Sequence, residues 1–240
     1  IDIAYITFKF SKKWNFDLKK FKTFPYPISW KEKLKDSINI NSNELRILDK
    51  QYTEFLAAKI NLFIKNYNIK KLDAVCSHGH TVFHKPEQGI TIQIGNLEEL
   101  SSLINYKVVV NFREQDVKLG GQGAPLVPIG DKLLFSKYKY FLNLGGFANL
   151  SLNEEEKFIA YDICAVNTIL NNLSFKLGKD YDFNGNFAKR GNIIVELLNE
   201  LNKIDFYKKS NPKSLAVEWN KKFIWPLINK FNFYSVNDLL

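Results

Sequence analysis

The three histidines of the chain fall in one stretch, HGHTVFH, as His78, His80 and His84. On an extended backbone His78 and His80 share a face, as metal ligands require, while a polar loop after a strand would use the same imidazoles as neutral hydrogen-bonding groups. No fourth ligand or carboxylate is clearly placed beside them, so no metal ligand is assigned. Asp162, in YDICAVNT, is expected at a strand end just before a helix. A carboxylate there either faces a ligand cleft or stabilises the helix start. Gly145 and Gly146, in LNLGGFANLS, fit a phosphate-binding glycine turn or an ordinary tight hairpin. Three of the twelve glycines, Gly120, Gly121 and Gly123, surround Gln122 and precede Ala124 and Pro125. Such a cluster serves a loop of unusual φ, or a backbone that a ligand must approach closely. Arg113 and Asp116, just ahead of it, form a structural ion pair or an anion site with a tuning carboxylate. Lys213 and Glu218, in PKSLAVEW, stand near a loop-to-helix junction.

The elements that must position these residues follow from periodicity. IDIAYITF alternates as a strand, and WNFDLKKFKTFPYPI extends to Pro25 and Pro27. SWKEKLKDSI reads as a short helix capped by Ser29. Leu45, Leu48, Tyr52, Phe55, Leu56, Ile60, Phe63 and Ile64 recur at three- and four-residue spacing and predict a long helix over about Ser42 to Tyr67. LDAVCSHG, GITIQIG and YKVVVNF read as strands, the last one buried, and NLEELSSLI as a helix capped by Asn96. YKYFLNLGGFANLSL reads as a hairpin turning at Gly145 and Gly146, KFIAYDICAVN as a strand, and TILNNLSFKL as the helix after it. The last third is mostly helical, with a break at NPKS. Strands and helices alternate, so the class is α/β, and the best boundary candidate is the glycine cluster near Gly120.

The bulk properties exclude several classes. With 240 residues, 45% of them hydrophobic, the chain can bury a substantial core. Its formal charge of +9 is spread over scattered lysines without a basic block or nucleic-acid signature, so no nucleic-acid partner is expected. Cys76 and Cys164 lack CxxC spacing and are expected as reduced thiols in apolar surroundings. No apolar run is long enough to span a bilayer, and no signal-peptide pattern opens the chain. The sequence contains no methionine and ends in SVNDLL, which reads as the start of a helix. The expectation is a piece of a longer protein.

SHGHTVFH, TIQIGN, FREQDVKLGGQGAPLVP, LNLGGFANLS, YDICAVNT and PKSLAVEW occur in this order and at these distances in the anhydro-N-acetylmuramic acid kinases. The chain resembles that family over nearly its whole length, and GGQGAPLVP is the most specific piece. The resemblance implies a two-domain actin-like sugar kinase fold of the ribonuclease H-like type. The domains would be 1–119 and 120–240, incomplete at both ends. The family's Gly-Thr-Ser-Leu-Asp-Gly phosphate motif, which directly precedes the position of Ile1, and its C-terminal glycine-rich adenosine motif, expected beyond Leu240, are missing, and Asp2 remains from the end of the first. It implies an enzyme that uses ATP, Mg²⁺ and water to open the 1,6-anhydro ring of anhydro-N-acetylmuramic acid and to phosphorylate O6 in peptidoglycan recycling. The setting would be cytoplasmic, with an amino-sugar and ATP as partners, and a homodimer is compatible with it.

By the same resemblance Asp162 is the base that activates water. Thr81 and Gln93 touch the sugar or its lactyl carboxylate, and Arg113 with Gly120, Gly121, Gln122, Gly123, Ala124 and Pro125 lines the sugar site. Asn167 holds the loop after Asp162, while Gly145, Gly146 and Asn149 face ATP. Asn111 stands where an acidic residue is common, Cys164-Ala165-Val166-Asn167 where Gly-Pro-Gly-Asn is common, and Ala216 and Val217 where Gly and Arg are usual. These departures fit a divergent branch. The competing readings are a catalytically inactive amino-sugar-binding relative acting as a sensor and a metal-dependent hydrolase built on the three histidines.

Overall fold

The computed structural model describes residues 1–154, 157–211, 213–215 and 217–240. Pro212 and Ala216, singled out in PKSLAVEW, lie outside the described residues. The chain divides into two compact units, Ile1–Val127 and Pro128–Leu240. Sequence reasoning placed the boundary before Gly120. The structure keeps the glycine cluster in the first unit, because Arg113 and Asp116 bond directly to its backbone.

The first unit is organised along α2 (Ser42–Asn66). Asn41 opens it with a capping box, accepting the N–H groups of Asn43 and Glu44 while the Glu44 carboxylate takes the Asn41 N–H. Its inward stripe buries Leu48, Tyr52, Leu56, Ala57, Ile60 and Phe63, as the three- and four-residue spacing predicts. Leu56, Ala57 and Ile60 meet Leu100 and Ile104 of α3 (Glu99–Ile104); Phe63 meets Phe24 and Ile69; Leu48 and Tyr52 meet Ile94. The strands are β1 (Asp2–Phe10) paired antiparallel with β2 (Trp14–Thr23), β3 (Val75–Cys76) parallel with β6 (Val108–Val109), and β4 (His80–Lys85) antiparallel with β5 (Ile90–Ile94). Phe8, Phe10, Trp14 and Leu18 form an exposed apolar face on the first hairpin.

Four local expectations are corrected. Helix α1 (Ile28–Asp36) starts one residue before Ser29, so Ser29 lies in its first turn and makes no cap bond. Asn96 does not cap α3, which follows Glu98; its side-chain amide is instead buried against Gly79. YKVVVNF yields only a two-residue strand with Val109 exposed, because Asn111 turns left-handed at φ 61° and starts α4 (Phe112–Lys118). Asn tolerates that conformation better than most side chains. Cys76 is exposed rather than buried in apolar surroundings, and Cys164 is half-buried; both are free thiols.

Helix α5 (Val127–Leu134) leads into the second unit. A three-stranded antiparallel sheet follows in the order β7 (Tyr140–Leu144), β8 (Phe147–Glu154), β9 (Lys157–Ala165). Then come α6 (Asn167–Phe175), α7 (Val195–Asn202), α8 (Val217–Trp219), a π-helical turn over Asn220–Ile224, α9 (Trp225–Lys230) and α10 (Val236–Leu239). Ile169 and Leu173 of α6 pack on Ile224 and Ile228 to form the core. Gly130 sits inside α5 with open space where a Cβ would stand. Gly130→Ala should therefore raise stability by about 0.5–1 kcal/mol, by restricting the unfolded chain. Chemical denaturation of the chain with and without the substitution measures it.

Candidate active site

Two clusters of the expected residues form, one in each unit. In the first unit the glycine loop folds around Asp116 and Arg113. Asp116 Oδ2 accepts the Gly123 N–H at 2.7 Å, the Asp116 carbonyl accepts the Gly121 N–H at 2.8 Å, and Arg113 Nη1 donates to the Gly123 carbonyl at 2.8 Å. The two side chains thus hold one loop, and no ion pair joins them among the described residues. Gly120 and Gly123 take φ of 88° and 68°, where a Cβ is strained. A Cβ on Gly121 would stand 2.3 Å from Asp116 Oδ2, and one on Gly123 would stand 2.8 Å from Val117 Cγ2. These glycines therefore have an intramolecular reason to be glycines, beside any contact with a ligand.

Arg113 keeps a buried Nε without a partner among the described residues, and burial lowers its pKa. A half-buried guanidinium whose neighbouring carboxylate is engaged elsewhere has capacity for an anion. The β4–β5 hairpin brings a polar row to the same loop. Thr81 and Gln93 are cross-strand partners, Gln93 Nε2 donates to Thr91 Oγ1 at 2.7 Å, and Thr91 Oγ1 lies 3.0 Å from His84 Nδ1. His84 Cε1 borders Gly123. His80 is half-buried, with its pKa lowered first by burial and then by the charge of His78. Among the described residues no three of His, Cys, Asp and Glu converge in a way that could hold a metal ion.

In the second unit Asp162 lies inside β9, three residues before its end rather than at the strand terminus. Its register partner is Asn149, and a bulge follows, since Ala148 pairs with Cys164 and Ile163 is the extra residue. Bulges re-aim side chains and are common beside active sites. The carboxylate does not serve the start of α6. Its Oδ2 accepts the Leu215 N–H at 2.7 Å, and the Asp162 N–H donates to the Lys213 carbonyl at 2.9 Å. Lys213 Nζ ties that segment down through the carbonyls of Phe206 and Tyr207. Burial raises the Asp162 pKa, partly offset by the Leu215 hydrogen bond. An oriented carboxylate with a raised pKa is suited to take a proton near neutral pH.

Gly145 and Gly146 turn the β7–β8 hairpin, as expected. Their carbonyls are committed to the start of α6. Gly145 O accepts from Asn167 Nδ2 at 2.9 Å and from the Asn167 N–H at 3.3 Å; Gly146 O accepts the Val166 and Thr168 N–H groups at 3.0 and 3.1 Å. Asn167 Nδ2 also reaches the Leu144 carbonyl. Among the described residues the N–H groups of Gly145 and Gly146 donate to no acceptor. A glycine turn with its carbonyls locked and its donors unclaimed fits phosphate oxygens. The sheet and α6 bring together Asp162, Asn149, Gly145, Gly146 and Asn167, all expected from the sequence as site residues. Thr168 and the Leu215 N–H join the same cluster without any motif of their own to mark them.

A family model described as anhydro-N-acetylmuramic acid kinase matches residues 1–236. Proteins named anhydro-N-acetylmuramic acid kinase from Bacillus cereus (strain 03BB102) and Bacillus thuringiensis (strain Al Hakam) are each 31% identical over 243 residues, covering 93% of this chain. The chain spans 64% and 63% of the lengths of these curated relatives.

Proposed function

The chain belongs to the anhydro-N-acetylmuramic acid kinase family, and on that premise we propose that the protein opens the 1,6-anhydro ring of anhydro-N-acetylmuramic acid and phosphorylates O6. The units would be the two domains of an actin-like sugar kinase. The observation that carries this reading is Asp162: a half-buried carboxylate, raised in pKa, oriented through one oxygen by the Leu215 N–H. Asp162 takes the proton of a water that attacks the anomeric carbon. The C1–O6 bond breaks, and O6 becomes the acceptor of the phosphoryl group. Asn149 and Asn167 flank the base and the turn. Gly145 and Gly146 offer N–H donors to the phosphates.

ATP supplies the phosphoryl group, and Mg²⁺, held chiefly by phosphate oxygens, supplies charge neutralisation; a cation bound this way needs few protein ligands. In the first unit the Nε, without a partner among the described residues, suits Arg113 to the lactyl carboxylate. Thr81 and Gln93 offer hydroxyl and amide groups to the sugar. Gly120, Gly121, Gln122, Gly123, Ala124 and Pro125 supply a backbone it can approach.

The test uses the whole protein with the anhydro-sugar, ATP and Mg²⁺ in ¹⁸O water, with the product read by mass spectrometry. The 6-phosphate carrying ¹⁸O at the anomeric carbon is expected. A folded, sugar-binding protein that yields no product would overturn the kinase reading in favour of a non-catalytic sugar sensor.

A further inference from the structure

Asn220 is 2% exposed, yet only half of its amide is used. Its Nδ2 donates to Thr168 Oγ1 at 2.8 Å, and Thr168 Oγ1 donates in turn to the Gly146 carbonyl at 2.9 Å. Asn220 Oδ1 is buried without a hydrogen-bond partner among the described residues. A buried acceptor left unsatisfied costs stability, and an apolar side chain of the same size would avoid that cost. Packing alone therefore does not account for an Asn here.

The backbone around Asn220 is also unusual. It opens the π-helical turn, in which the Trp225 N–H closes a five-residue ring onto the Asn220 carbonyl. Pro226 follows in the same continuous helical run, and in α geometry its ring would crowd the carbonyl of Lys222, so widening the turn relieves the contact. Widened turns of this kind recur at functional sites. At the other end of the relay, a Cβ on Gly146 would stand 2.9 Å from Thr168 Cγ2, so glycine is what allows the Thr168 side chain to sit there.

We propose that Asn220, acting through Thr168, is a positioning residue that fixes the Gly146 carbonyl and so sets the shape of the turn that meets the nucleotide phosphates. The inference rests on the phosphate-turn reading above and adds to it two residues separated by 52 positions in sequence. Asn220 orients the Thr168 hydroxyl so that its single proton points at Gly146 O. Thr168 then supports the carbonyl together with the N–H groups of Val166 and Thr168.

The test uses Asn220→Leu and Thr168→Val, which keep volume and remove the relay, with Thr168→Ser as the rescue. Titration of the whole protein with a fluorescent ATP analogue should show about tenfold weaker binding for each of the first two, the loss expected for one hydrogen bond. Affinity for the sugar should be unchanged, and Thr168→Ser should return to within about twofold of the parent. The double variant should be no weaker than either single one, because both break the same chain of bonds. Amide exchange in the nucleotide-free protein supplies a readout independent of ATP. The Val166 and Thr168 amides should exchange faster in Thr168→Val, while those of the β8–β9 ladder keep their rates. Unchanged nucleotide affinity together with unchanged exchange would overturn the proposal. If the parent protein makes no phosphorylated sugar, the kinase reading fails, and the exchange measurement still decides whether the relay shapes the turn.

Discussion

Replacing Asp162 by Asn is expected, on the proposed kinase reading, to lower turnover by about 10²–10⁴-fold, the contribution of a positioned base, while the thermal midpoint holds or rises. The two halves of this expectation have one cause. Burial raises the Asp162 pKa above its ordinary 3.8, so the folded chain holds that proton more tightly than the unfolded chain does. The resulting stabilisation is fully present below the unfolded value and is lost as pH rises through the raised folded value. Above that raised value the charged carboxylate is a burden on the fold. Asn removes the charge and keeps an oxygen for the Leu215 N–H. A trade of stability for reactivity at one side chain is what a functional carboxylate shows. The same shift fixes the sign of the pH dependence: the rate of the parent should fall as pH drops through the raised pKa, at higher pH than an unperturbed aspartate would dictate. Turnover in the variant close to that of the parent would remove Asp162 from the chemistry. A large loss of thermal midpoint would assign it to the fold.

What the sequence revealed and what it hid divide along contact distance. Helix α2 was legible because a run of apolar residues at one spacing has a single solution, and its structured stripe from Leu48 to Phe63 follows that spacing. The Gly145–Gly146 hairpin was legible because its strands flank it directly. The over-long strand at YKVVVNF was not, since the left-handed turn at Asn111 that ends it is one several-fold choice of Asn among others. Asp162 was visible as a carboxylate close to a helix, but its orienting donor comes from Leu215, 53 residues away. Nothing in the residues around either position announces that pairing. Asn220 had still less to show, because its one local signal was Pro226 within a helical pattern, which marks a distortion without saying what the distortion serves.

The glycine cluster posed a question that its composition left open, and Gly121→Ala answers it. Gly121 has no positive φ, so the substitution carries no backbone penalty and restricts the unfolded chain by about 0.4–1 kcal/mol in favour of folding. Against that, the new Cβ would fall 2.3 Å from Asp116 Oδ2, the oxygen that accepts the Gly123 N–H. Asp116 must rotate away, and a hydrogen bond to a charged acceptor, about 1.5–3 kcal/mol, is lost. The net expectation is about 1–2 kcal/mol of destabilisation. Loosening the loop also releases the Gly123 carbonyl that Arg113 holds, so on the proposed reading of this loop as a sugar site, sugar affinity should fall with stability. The Asp116→Ala background separates the causes. With no carboxylate to displace, only the restriction of the unfolded chain remains, so Gly121→Ala should stabilise that background by about 0.4–1 kcal/mol, a coupling as large as the lost hydrogen bond. A loop whose glycine serves its own carboxylate shows that coupling. If Gly121→Ala instead left stability untouched and abolished sugar binding in both backgrounds, the glycine would stand there for the ligand alone, and the hold of Asp116 on the loop would be incidental to it.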